Sequence, residues 1–102
     1  MAERTELVDF IEANRIAGVV IISGDVHSGG AIDNGTNSRF PEMSVPFANL
    51  GFANTGYGTW SEGLIPGFRH PGFGLFEVSQ DAVDMYVMGY DASLRLHYTV
   101  TQ

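Results

Sequence analysis

Residues 18–30 read GVVIISGDVHSGG, and the fold turns on how that stretch is interpreted. Val19, Val20, Ile21 and Ile22 make an unbroken β-branched run that closes on Ser23. Apolar residues that are continuous, instead of alternating, mark a strand covered on both faces. The chain then turns at Gly24, presents Asp25 and His27, and relaxes into Ser28-Gly29-Gly30. Two residues apart in an extended segment, Asp25 and His27 point the same way and could reach one metal ion or two adjacent ones. The same spacing also suits a polar turn, with Asp25 in an Asx-turn and His27 on the surface. Spacing alone leaves both readings open.

Upstream, residues 3–16 (ERTELVDFIEANRI) predict an amphipathic helix. Leu7, Phe10, Ile11 and Asn14 share one side at helical spacing, and Glu6, Asp9, Glu12 and Ala13 share the other, a solvated face. Glu3, Glu6 and Asp9 lie early, where they favour the helix dipole, and Gly18 is the expected terminator. Helix, turn and buried strand make half of an αβ crossover. Such a strand needs neighbours on both sides, and residues 1–17 supply none.

Downstream, residues 24–74 hold most of the thirteen glycines and predict a long irregular region with short extended pieces. Loops of that length inside a compact domain usually build a site or pack on a partner. The C-terminal third is regular. GFGLFEV (72–78), AVDMYVMGY (82–90) and LRLHYTV (94–100) predict an antiparallel meander joined by SQD and DAS turns. Val83, Met85 and Val87 should face opposite to Asp84, Tyr86 and Met88. Leu94, Leu96, Tyr98 and Val100 should face opposite to Arg95, His97 and Thr99. The expected fold class is therefore α+β, one domain over residues 1–102: an N-terminal helix, a buried strand, a Gly-rich loop region and a β meander.

Composition narrows the partners. Twelve acidic residues stand against five basic ones, all arginine, giving a net charge of −7. That balance argues against nucleic acid or an anionic membrane as partner, since both need a basic face. Without cysteine, neither disulfides nor thiolate metal sites are available, so any metal falls to His, Asp, Glu or Asn. The N-terminus carries no apolar signal segment. Lysine is absent, which removes a Walker loop, and there is no G-x-S-x-G elbow. Ser28 lies too close in sequence to Asp25 and His27 for a triad relay. His70, beside Arg69 in FRHPG, is either a phosphate contact or an exposed loop residue. Asn54 is an amide ligand or a turn residue, and His97 reads as exposed. Tyr57, Trp60, Phe68 and Phe73 wall a pocket or fill the core.

Taken as a whole, RIAGVVIISGDVHSG resembles the late motif of the PhoD-like (alkaline phosphatase D) branch of the calcineurin-like metallophosphoesterases, where a helix and buried strand end on SGDVH. FPEMSVPFANLGFANTGYGTWSEG, then GFGLFEVS and a closing hairpin, match the order of features in the C-terminal part of such proteins. The resemblance implies the C-terminal part of an αββα sandwich and a phosphomonoesterase or phosphodiesterase acting by in-line attack at phosphorus. His27 would be a metal ligand, and Asp25, standing where the wider superfamily has His, a ligand or a group orienting one. The cofactor would be a divalent or trivalent metal ion (Ca, Mn, Fe or Zn) and the substrate a phosphate ester. Such enzymes are often exported. The family's earlier Asp-x-His, Gly-Asp-x-x-Asp and Gly-Asn-His motifs do not occur here. The expectation is a phosphatase C-terminal portion, inactive alone. The alternatives are a non-catalytic binding or assembly module that forms a homo-oligomer through its sheet, and a small enzyme whose site forms between two copies.

Overall fold

The computed structural model describes residues 2–24, 28–46, 58–65 and 71–101, apart from the side chains of Ala2 and Arg4. It is an α+β fold with one helix and two sheets. Helix α1 spans Ala2–Ala13 and carries Glu3 in its first turn, favourable to the dipole. It ends earlier than Gly18. Arg15 adopts a left-handed conformation (φ 54°), its N–H donates to Glu12 O at 3.1 Å, and Ile16 N–H donates to Ile11 O at 3.1 Å. That pair of bonds is a Schellman motif with arginine in the usual glycine position. The helix also turns a different side inward from the one its apolar spacing suggests. Val8 is buried, whereas Leu7 and Phe10 are about three-fifths exposed (60% and 59%). The charged face is solvated as expected, and on it Asp9 and Glu12 pair with the exposed Arg39 at 3.2 and 2.7 Å.

The first sheet contains β1 (Ile21–Ser23), β2 (Ala31–Asp33), β3 (Glu42–Ser44) and β4 (Gly63–Leu64), in the order β1-β3-β2-β4. β1 runs parallel to β3, while β2 is antiparallel to both β3 and β4. Two expectations are corrected here. The Gly-rich region holds three short strands, and β1 is an edge strand with Ile22 61% exposed, not a strand covered on both faces. The second sheet is the expected meander: β5 (Gly72–Val78), β6 (Ala82–Gly89) and β7 (Leu94–Thr101), paired β5-β6-β7.

The core lies between the sheets. Ile32 and Met43 of the first meet Met85 and Val87 of the second, all fully buried, with Phe76, Val83, Leu96, Tyr98 and Val100 packed around them. The period-two reading of β6 holds, and that of β7 holds from Leu96 onward. Glycine sets how closely the sheets approach. A Cβ on Gly74 would lie 2.6 Å from Met43 Cε, one on Gly30 2.3 Å from Val87 Cγ1, and one on Gly63 2.7 Å from Leu96 Cδ2. Gly30 and Gly63 also have positive φ (106° and 127°), so a side chain there would meet both a clash and backbone strain.

One buried charge organises the first sheet. Asp33 is fully buried, and each of its carboxylate oxygens accepts two hydrogen bonds. Oδ1 accepts from Thr36 Oγ1 (2.6 Å) and Ser61 N (3.0 Å), and Oδ2 accepts from Gly35 N (2.9 Å) and Asn37 N (3.0 Å). That fills the roughly four lone-pair sites a carboxylate offers. Burial alone would raise the Asp33 pKa, but the bonds from Thr36, Ser61, Asn37 and Gly35 outweigh it and hold the carboxyl well below the usual range. Its stabilising contribution is therefore complete above the ordinary aspartate range near pH 4 and falls away as the pH drops below it. Asp33→Ala should cost about 3 kcal/mol in urea denaturation at neutral pH, because it strands buried donors. Asp33→Asn should remove much of the wild type's loss of stability between pH 5 and pH 3.

Candidate functional site at the strand ends

The strand registers place one set of ends together. Ser23, Ser44 and Leu64 close β1, β3 and β4 where Ala31 opens β2. Gly24, Gly30, Val45 and Ile65, each next to one of these strands, therefore lie at this end. In an open sheet, loops at the carboxyl ends of parallel strands are where ligands bind. β1 and β3 are the parallel pair here, and the GDVH sequence follows β1 directly.

Two described segments are fastened at this end. Gly29 N–H donates to Ile65 O and Ile65 N–H to Gly30 O, each at 2.8 Å, which continues the β2–β4 pairing by one step. Ser28 is fully buried, and its Oγ accepts from Gly30 N at 3.1 Å. A hydroxyl so enclosed is a structural tie and not a nucleophile. From the second sheet, Arg95 Nη1 donates to Gly29 O (3.0 Å) and Nη2 to Pro71 O (2.7 Å). One guanidinium thus joins the residue two past His27 to the residue one past His70.

The local sequence makes room for it. A register shift at Val87/Met88 turns Arg95 inward, out of the alternation that would have left it outside. Gly72 and Gly89, paired across β5 and β6, present no side chain: a Cβ on either would sit 3.3 Å from the guanidinium group. Burial lowers the Arg95 pKa, and the nearby Asp91 charge opposes that shift. Asp91 itself accepts from the Ser93 hydroxyl (2.6 Å) and N–H (3.1 Å), which holds its carboxyl below the usual range.

Ser44 is the other notable group. It is buried, and its hydroxyl has no hydrogen-bond partner among the described residues. It lies beside Ser23, whose Oγ donates to Glu42 Oε2 at 2.8 Å.

Asp25, His27, Asn54, Tyr57, Phe68 and His70 lie outside the described residues. Trp60 is half-buried. Phe73 is on the outer face of the second sheet and 42% exposed, so it belongs to neither the core nor a pocket wall. His97 is exposed, as expected, but not alone. Its Nε2 lies 2.8 Å from Asp84 Oδ1, Thr99 Oγ1 donates to that same oxygen, and the ring stacks on Tyr86 at 4.5 Å. Hydrogen bonds from Thr99 and His97 hold the Asp84 carboxyl below its usual range. Thr99 and Asp84 both meet the same ring nitrogen, so the group is not a nucleophile-base-acid relay.

Among the described residues no three His, Asp or Glu side chains converge as a metal-binding group. A cavity of about 500 Å³ lies at the opposite end, among Ile16, Val20, Phe40, Val83 and Val100. It has no ionisable side chain in its lining and so offers nothing to phosphoester chemistry. Sequence reasoning missed both Arg95 and Asp33. The signals were faint: an arginine beginning a strand, and an Asp before Asn-Gly.

No family model, curated protein or solved structure matches the chain.

Arg95→Met should destabilise the fold by about 2–3 kcal/mol, the scale of hydrogen bonds from a charged donor. Arg95→Lys should recover less than half of that loss, because a single ammonium cannot hold two carbonyls in a planar fork. Thermal melts of the three proteins check both statements.

Proposed function

We propose that the chain supplies the late metal-ligand turn of a metal-dependent phosphoester hydrolase, with His27 and Asp25 as the ligand residues. The reading rests on the resemblance of RIAGVVIISGDVHSG to PhoD-like enzymes. It is supported by the observation that this turn follows the edge strand of a parallel pair, at the end where Arg95 gathers Gly29 and Pro71. When bound, the metal ions would polarise the phosphoryl group and activate water. The architecture in this reading is the C-terminal part of an αββα sandwich, and the missing ligands and strands come from a body that pairs with β1.

A second reading is a non-catalytic assembly module. The outer face of the second sheet favours it, since Phe73, Leu75 and Leu94 are exposed there beside one another across β5, β6 and β7.

The two separate in one experiment. Under the first reading the folded chain binds Mn²⁺ in a calorimetric titration, and His27→Ala abolishes that binding without lowering the melting temperature. Bis(p-nitrophenyl) phosphate turnover by the chain alone stays at background with Mn²⁺, Ca²⁺, Fe³⁺ or Zn²⁺. Equal Mn²⁺ affinity in wild type and variant would sink the hydrolase reading. Metal-dependent turnover lost in the variant would instead mean that copies of the chain complete the site between them.

A further inference from the structure

Asn34 is the one asparagine in the chain followed by glycine. Its side chain is exposed, and its own N–H is held by Ser61 Oγ at 2.8 Å. Gly35 has φ 123° and no side chain to shield its nitrogen. Such a pair is chemically labile. The Gly35 amide nitrogen, once deprotonated, attacks the Asn34 side-chain carbonyl carbon. An N–Cγ bond forms, the Cγ–Nδ2 bond breaks, and ammonia leaves, giving a five-membered succinimide. Water then opens the ring at either carbonyl, leaving aspartate or isoaspartate. The sum is one water consumed and one ammonia released, with no redox change.

In this fold the proton that must leave is already committed. Gly35 N–H donates to Asp33 Oδ2 at 2.9 Å, inside the four-donor carboxylate site. Deprotonation would set a second anion against that carboxylate at hydrogen-bond distance, in a setting with little water to screen it. The carboxylate is also a poor base, because its other donors stabilise the charged form. We propose that Asn34–Gly35 is a latent self-modification site, blocked by the Asp33 hydrogen bond and released when that bond opens.

The products cannot return to the starting arrangement. Either one adds a negative charge next to Asp33, and isoaspartate also lengthens the backbone by one carbon between residues 34 and 35. The Gly35 and Asn37 N–H donors then move off the carboxylate, and with them the contact to Ser61 that joins this loop to the segment before β4. A chain that has deamidated here therefore carries a permanent covalent mark at its main polar tie.

The test follows the tryptic peptide 16–39 by mass spectrometry during incubation in mildly alkaline buffer, with fragmentation to locate isoaspartate. Folded wild type, urea-unfolded wild type and folded Asp33→Ser are compared. Folded wild type should convert at least about tenfold more slowly than unfolded, the factor equivalent to one hydrogen bond to a charged group. Asp33→Ser should approach the unfolded rate. Should that variant not fold, Thr36→Val, which removes one donor and keeps three, takes its place with a rise of several fold over wild type. Equal rates in folded and unfolded wild type, or a folded variant no faster than wild type, would overturn the proposal. So would an unfolded chain that fails to convert at Asn34.

Discussion

A carboxylate with every lone pair occupied is the constraint on which the rest of this small fold depends. Asp33 sits at the end of β2, and its four donors come from the loop after β2 and from Ser61 before β4. A charge buried this completely would be prohibitive if unpaired. Here its satisfaction fixes where the 34–38 loop turns and where residue 61 arrives. Ser61 leads into Gly63, whose bare backbone lies against Leu96 of the second sheet. The polar tie at one end of β2 thus sets where β4 lies against Leu96 of the second sheet.

That meeting has no slack. Gly30, Gly63 and Gly74 each leave space that a side chain of the opposite sheet fills, so the core closes backbone to side chain. Close packing compensates for strands of only two or three residues, which would hold little by their ladder bonds. It also determines what stands at the functional end. With the sheets this near, a β7 arginine reaches across to the carbonyl that follows the GDVH turn. Asp33 and Arg95 are the two charges that the fold encloses in backbone partners, one at each end of β2. One stabilises the scaffold, and the other fastens the segments that flank the candidate site.

The sequence disclosed the parts whose pairing is local and periodic. β5, β6 and β7 were legible because alternation over seven or eight residues reports directly which face is buried. β2, β3 and β4 were not, because three residues such as Ala31-Ile32-Asp33 contain no period to read. Helix α1 was legible in extent but not in orientation. Its apolar spacing points to Leu7 and Phe10, yet Val8 is the residue buried, with Asp9 and Glu12 paired to Arg39 at the surface. Its terminus was missed because Gly18 is the conspicuous residue, while the Schellman bonds form on Arg15 and Ile16. Three of the four Asp33 donors lie within four residues of it, but Ser61 is 28 positions away, and Arg95 reaches Gly29 across 66 positions, so no short window contains those contacts. The GDVH motif was visible from the first reading, but Asp25 and His27 themselves lie outside the described residues.

The two functional readings both require exposed sheet surface to be covered, and the sheet edges show where cover is open. Ile21 N–H and Ser23 C=O bond to the β3 side, so the peptide groups of Ile22 face the other way, along an edge unpaired among the described residues. Exposed edges are normally guarded by charge, brevity or proline. β7 carries Arg95 and His97, β5 carries Glu77, and β4 is two residues long. β1 is guarded only by its brevity of three residues, since residues 16–24 contain no charge and no proline. This short apolar edge, with Ile22 exposed beside it, is open to a further strand. The outer face of the second sheet tempers its exposed Phe73, Leu75 and Leu94 with the hydrogen-bonded Asp84, His97 and Thr99. The β1 edge leads into GDVH and is open both to the rest of a hydrolase and to a second copy of the chain, so cover there serves either reading.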